Sequence, residues 1–206
     1  VQAMYATLQL GWNGMLYLDV TARNEWASQL AGTPDVNIFY PSVGLSAVIS
    51  SMTDLSAAGI SFLKVRGSYT EVGNSYDRYM TKVYYKYDGE SGSWSSSSTY
   101  PNLDLKPERT KSWEVGVNAR FLNHINFDLT YYRSNTYNQT FYAKLPPASG
   151  YVDTPVQSGN ILNQGIEMAL GYNNEWGDFS FSTNYTLTWN ENKIISLVDG
   201  VRNPLT

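Results

Sequence analysis

The side chains able to do chemistry fall into two groups: charges set at alternate positions within long periodic runs, and aromatic residues gathered in one irregular stretch. Asp19, Arg23, Lys64, Arg66, Glu114, Arg120, Asp128 and Glu167 form the first group, each at the polar parity of its run. They could line an aqueous path, with Lys64 and Arg66 facing a lumen. They could also form an ordinary ladder in which Lys64 and Arg66 pair with Glu114 on a neighbouring strand, and the ladder is the simpler expectation. Tyr76, Tyr79, Tyr84, Tyr85, Tyr87, Trp94 and Tyr100 form the second group. Flat rings stack on sugar faces, anchor protein interfaces, or pack a small core of the loop itself, and the spacing leaves these alternatives open.

Catalysis has no comparable foothold. Cysteine is absent, which removes thiolate nucleophiles, disulfides and thiolate metal ligands. The single histidine, His124, excludes a His-based metal cluster. It falls in an expected three-residue turn beside Asn123 and Asn126, without the serine and aspartate that a hydrolytic triad requires. Glu108 near Arg109 and Lys111 reads as loop structure rather than an acid–base device. The glycosylation sequons at Asn138 and Asn184 read as chance matches. No catalytic residue, metal or cofactor is expected, and the chain is not expected to be an enzyme.

The elements that position these groups are strands of unusual length. Residues 105–136 make two alternating runs joined by a turn. Trp113, Val115, Val117, Ala119 and Phe121 oppose Glu114, Gly116, Asn118 and Arg120, and then Ile125, Phe127, Leu129 and Tyr131 oppose Asn126, Asp128, Thr130 and Tyr132. Each run alternates for about ten residues, which at ~3.3 Å per residue and ~45° tilt rises roughly 23 Å, the height of the apolar band of a transmembrane barrel. Similar alternation predicts strands near residues 2–10, 15–26, 40–50, 61–72, 162–172 and 179–190. A further short strand is expected within residues 80–87, and a loop after residue 190.

Two regularities favour a barrel over a soluble sandwich. Connections alternate between short (11–14, 51–60, 122–124, 173–178) and long (27–39, 73–107, 142–160), as when one rim carries turns and the other loops. The strand charges share the polar parity. Arg109, Lys111 and Arg133 depart from it only at the long-loop ends, where headgroups and water reduce the cost of a lipid-facing charge from about 2–4 kcal/mol at the midplane. No apolar run approaches the ~18 residues of a spanning helix. Aromatics at 15% of the chain suit interfacial girdles, and a net charge of −4 without basic clusters argues against nucleic acid. With no initiating methionine and no leader, the chain is expected to be part of a longer protein.

Four motifs, in order, carry a resemblance. Phe39-Tyr40-Pro41-Ser42-Val43-Gly44-Leu45-Ser46, Phe62-Leu63-Lys64-Val65-Arg66-Gly67-Ser68-Tyr69 followed by Val72-Gly73-Asn74, Asn102-Leu103-Asp104-Leu105-Lys106-Pro107-Glu108-Arg109-Thr110, and Asn163-Gln164-Gly165-Ile166-Glu167 resemble segments of the SusC/RagA family of TonB-dependent outer-membrane transporters. Thr70-Glu71 and Ser46-Ala47 depart from the family pattern without breaking strand parity. The resemblance implies an all-β chain. Residues 1–206 would form a single partial transmembrane β-barrel domain, about eight antiparallel strands of a 22-stranded barrel, with the plug domain absent from this chain. It further implies a bacterial outer-membrane importer, driven by TonB through an N-terminal region outside this chain, for glycans or other oligomers, whether oligosaccharide or peptide. A SusD-like surface lipoprotein would be its lid and outer-membrane lipid its surround. A soluble carbohydrate-binding β-sandwich or surface adhesin, and a passive porin, are the rival readings.

Overall fold

The computed structural model describes residues 1–157 and 159–196. It contains twelve strands in chain order: β1 Gln2–Trp12, β2 Leu16–Trp26, β3 Ile38–Val48, β4 Ile60–Asn74, β5 Tyr85–Asp88, β6 Ser93–Ser96, β7 Glu108–Phe121, β8 Ile125–Tyr137, β9 Thr140–Lys144, β10 Asp153–Gln157, β11 Asn160–Trp176 and β12 Phe179–Ser196. Among the described residues the only helical segments are four three-residue 3-10 turns.

The eight long strands form one antiparallel sheet in the order β1-β2-β3-β4-β7-β8-β11-β12, every long strand beside its sequence neighbour. All eight expected strands are present, and no pair of them is split between two sheets. That topology removes the sandwich reading, which needs two packed sheets of comparable size. The remaining strands make two small hairpins, β5–β6 and β9–β10.

Register converts the sequence alternation into rows that cross the whole sheet. One row reads Leu10, Leu18, Leu45, Gly67, Val115, Tyr131, Ile166, Trp189, and another reads Trp12, Leu16, Ala47, Val65, Val117, Leu129, Met168, Leu187. Both are apolar except at one glycine. The opposite parity gives Thr7, Thr21, Ser42, Thr70, Ser112, Ser134, Asn163, Asn192, a row without a single apolar side chain. Paired hydroxyls bridge neighbouring strands within this row, at 3.0 Å between Ser42 and Thr70. Because strand side chains alternate faces, the sheet has one apolar and one polar surface.

The connections follow the expected alternation. Short links join β1 to β2, β7 to β8 and β11 to β12 at one rim. Asn13, Gly14, Leu122, Asn123 and Gly177 there hold the positive φ of tight turns. The β3–β4 link at that rim is longer and is built from two 3-10 turns. His124 lies in the β7–β8 turn and is structural: its Nδ1 is 3.1 Å from the Asn173 carbonyl, and its own carbonyl accepts the Asn173 amide.

Several strand boundaries differ from the sequence reading; β11 runs to Trp176, four residues past its expected end, so the turn expected over 173–178 is only residues 177–178. The extra strand is Tyr85–Asp88 rather than most of 80–87. It pairs with Ser93–Ser96, so the serine-rich tract is the second arm of a hairpin. The connection over 142–160 contains most of the β9–β10 hairpin, with Pro155 as the central residue of β10 opposite Tyr142. The last strand runs on to Ser196 because Asn192, Lys193 and Ile194 keep pairing with Asn163, Leu162 and Ile161. The expected loop beyond it lies outside the described residues.

Burial is concentrated at the long-loop rim. Ala27, Leu30, Ile38, Tyr76, Met80 and Leu105 form one buried cluster, with Tyr40 packed against it. Residues of the sheet proper are mostly half-buried or exposed on both faces.

Candidate functional site

Two surfaces carry the candidate chemistry: the polar face of the sheet and the ordered layer of loops at the rim.

On the polar face the centre is Arg66. Its Nη1 donates to Asn118 Oδ1 at 2.6 Å and lies 3.5 Å from Asp128 Oδ2, while Nη2 donates to Thr130 Oγ1 at 2.6 Å. Asn118 Nδ2 in turn donates to Asp128. The guanidinium therefore spans β4, β7 and β8. Gly116 makes this possible: it sits opposite Arg66, and a Cβ there would lie 2.9 Å from the guanidinium carbon. The expected Arg66 ladder with Glu114 does not form. Glu114 stands opposite Ser68, two pairs further along the strand, and glycine opens a flat route to Asp128 instead.

Lys64, Arg66, Glu114 and Asp19 nevertheless line one shallow hollow of about 210 Å³ on this face. Arg120 lies nearer the turn rim, its Nε donating to Asn126 Oδ1 at 2.8 Å. Glu167 sits beside Thr130 in the row that contains Arg66. Arg109 and Lys111, two of the three parity exceptions, share Glu71 at 3.9 and 3.4 Å beside the long-loop rim.

The rim layer is stitched by backbone-directed side chains. Gln157 Nε2 donates to the carbonyls of Lys106 and Asn138, and its Oε1 accepts the Lys106 amide. Asn102 Nδ2 donates to the Pro155 carbonyl, and Thr99 Oγ1 to Asp153. Leu105, Pro107 and Pro155 are fully buried beneath these links. The loop after β4 and the β9–β10 hairpin thus hold each other in place.

Of the seven aromatic candidates, Tyr76 takes the packing role, and burial pushes its hydroxyl above the ordinary tyrosine range. The other six are exposed. They are not one patch but three ring pairs with one unpaired ring: Tyr79 with Tyr84 at 5.0 Å, Tyr87 with Trp94 at 5.1 Å across the β5–β6 hairpin, Tyr100 with Tyr151 at 5.2 Å, and Tyr85 by itself. Tyr151 escaped sequence reasoning because it belongs to a different connection, and nothing local signals a partner 51 residues away. Asn118, Thr130 and Gln157 escaped it because an uncharged polar residue acquires its role from register.

A single sheet with one apolar and one polar face, turns at one rim and a folded loop layer at the other, is the wall of a membrane-spanning β-barrel. The chain belongs to the family described as TonB dependent receptor-like, beta-barrel, whose model matches residues 1–206. Proteins of this family lie in the outer membrane, and the chain is a partial wall of such a barrel. It is 28% identical over 190 residues to TonB-dependent receptor P3 of Formosa agariphila, covering 87% of this chain and 19% of that protein. It is 29% identical over 102 residues to TonB-dependent receptor SusC of Bacteroides thetaiotaomicron, covering 48% of this chain and 10% of that one. In three dimensions it is similar to the RagAB peptide importer in its closed-closed state, at a TM-score of 0.81 and 21% identity, over 97% of this chain and 22% of that one. The siderophore receptor PirA of Pseudomonas aeruginosa aligns at a TM-score of 0.65 and 17% identity, over 94% and 34%. The chain spans about a fifth of the length of the curated receptors named P3 and P39 that it matches.

Proposed function

We propose that this chain is the wall and outer mouth of a TonB-dependent outer-membrane importer of oligomers, glycans or peptides, which works with a SusD-like surface lipoprotein. The observation that carries the reading is the division of the sheet into an eight-strand apolar band and a polar, ion-paired face. Turned toward the interior, that face places Lys64, Arg66, Glu114, Arg120, Asp128 and Glu167 along the lumen. Turned toward lipid, it would expose several charges at a cost of about 2–4 kcal/mol each near the midplane. TonB would act through parts of the receptor beyond this chain. That a similar wall recurs in a peptide importer and in a siderophore receptor supports a reading in which the wall does not choose the cargo. Selection then falls to the rim, where Tyr79, Tyr84, Tyr85, Tyr87, Trp94 and Tyr100 face solvent around a rigid base.

The test is energy-dependent uptake of labelled oligomers by cells carrying the full-length receptor, with residues 83–98 replaced by a short Gly-Ser turn. This cut spares Tyr76 and Met80 and with them the rim core. Reduced uptake or lipoprotein capture with normal barrel assembly is expected. Unchanged uptake together with unchanged lipoprotein capture would overturn the role given to this part of the rim.

A further inference from the structure

A hollow of about 310 Å³ opens in the rim layer between the connection after β2 and the connection after β4. Ser28, Gln29, Arg78, Tyr79, Thr81 and Lys82 line it, and none of them is acidic. Its base is fixed. Leu30, directly after Gln29, is wholly buried, and Tyr76 and Met80, which bracket Arg78 and Tyr79, belong to the same core. Thr81 is itself buried, so the segment cannot swing away without opening the cluster.

Three features point to the ligand. Arg78 and Lys82 both line the hollow, and among the described residues neither makes an ion pair or a side-chain hydrogen bond. Two cations lining one hollow that no acidic side chain lines, in a chain of net charge −4, make a local site for an anion. Tyr79 is 60% exposed and pairs with Tyr84 at an interplanar angle of 38°, leaving open ring surface at the hollow. Tyr79 also holds a φ of +70°, a left-handed conformation that disfavours any residue but glycine. The fold sustains that conformation between two buried anchors, so an aromatic side chain is kept where glycine would be easier. Hydroxyl and amide groups of Ser28 and Gln29 complete the lining, and the irregular segments that form it offer no strand edge to an extended peptide.

We propose that this hollow is a subsite for an acidic sugar unit, a carboxylate- or sulfate-bearing residue of an oligosaccharide, with Tyr79 under the sugar ring and Arg78 and Lys82 on its anion. The proposal rests on the importer reading and narrows its cargo. Arg78 supplies a planar fork that matches a carboxylate or sulfate in two hydrogen bonds, and Lys82 a mobile point charge. Tyr79 and the polar lining distinguish a pyranose ring from a simple ion.

The experiment uses the full-length receptor in detergent and titrates oligogalacturonate, its methyl ester, inorganic sulfate and oligoglutamate by calorimetry. The unmodified receptor is expected to bind oligogalacturonate at least about tenfold more tightly than the ester, with affinity falling as salt rises. R78Q combined with K82Q should erase that preference. Y79G should keep or raise the unfolding temperature while weakening oligogalacturonate binding about tenfold, which separates loss of the ring from loss of the fold. Equal affinity for acid and ester, or no response to either variant, would overturn the subsite. Oligoglutamate or sulfate binding as tightly as the sugar, with the same sensitivity to R78Q and K82Q, would overturn the sugar assignment. Uptake in cells with and without TonB is read separately. TonB-dependent uptake of neutral oligomers without oligogalacturonate binding would overturn only the subsite, and intact binding without TonB-dependent uptake only the importer reading.

Discussion

The wall and the rim are built by opposite rules. In the wall, Leu10, Leu45, Val115 and Leu187 remain about half exposed although they lie within long strands. Their burial is left to a surrounding lipid phase, so what fixes the wall within the chain is backbone pairing and row order. At the rim, Leu30, Ile38 and Leu105 are fully buried by protein alone, and side-chain amides of Gln157 and Asn102 close the backbone account of the loops. One region leaves its apolar face uncovered by the chain, and the other buries a small core of its own. The contrast teaches that a long loop need not be loose: it can be the best-packed part of a barrel.

The largest expected effect tests the wall. Leu129→Arg places a charge in the central apolar row, at a cost of up to about 4 kcal/mol at the midplane, and should abolish the heat-modifiable folded band on gels. Glu167→Lys, on the other face, should assemble normally. Parity alone would accept Thr130→Arg as well, yet Thr130 is buried and accepts a hydrogen bond from Arg66, so that variant should assemble less well than Glu167→Lys. Equal loss in Leu129→Arg and Glu167→Lys would mean that the faces are not distinguished by their solvent.

The rim should respond to a different change. Leu105→Ala leaves a cavity worth at least ~2 kcal/mol to the loop layer while the folded band persists. Hydrogen exchange should then rise over residues 75–107 and 138–157 together, because the two connections are joined through Asn102 and Gln157. Acceleration confined to the mutated loop would show that the layer is not one unit.

Smaller effects refine each region. Gly116→Ala forces the Arg66 guanidinium off its flat path and should cost about 1–2 kcal/mol. In a double-mutant cycle with Asp128→Asn, the two changes should be less than additive because both break the same contact. Trp94→Ala removes one ring of the β5–β6 pair, worth about 0.5–1.5 kcal/mol beyond area, and should loosen that hairpin without altering exchange in the Leu105 core.

These regions were not equally legible in the sequence. Strand number, order and facing could be read because period-2 alternation is local and repeated over ten or more residues, as in Trp113 to Phe121. The split into short and long connections followed from strand ends. The Arg66 contact could not be read, since it depends on a glycine opposite and a carboxylate two strands away, and charge spacing suggested Glu114 instead. The rim hairpins were hidden because Ser93–Ser96 and Asp153–Gln157 lack alternating apolar residues and are strands only through their partners. The aromatic group was found as a set, but its division between the buried Tyr76 and exposed pairs needed the fold, as did Tyr151.

The hydroxyl row also sets an inclination. From Thr21 the second strand continues to its turn at Leu16, whereas from Asn192 the last strand runs back as far as Phe179. The turn rim therefore drops about eight residues over six inter-strand steps, and at ~3.3 Å per residue and ~4.8 Å per step the strands lean by about 40°. Above that row the strands extend by nearly equal amounts, so β2, with 11 residues, and β12, with 18, cannot end at one altitude. Set level on its turns, the wall climbs roughly 17 Å from one side to the other, with ~3.3 Å per residue along leaning strands. The described strands thus end along an oblique line rather than at one level.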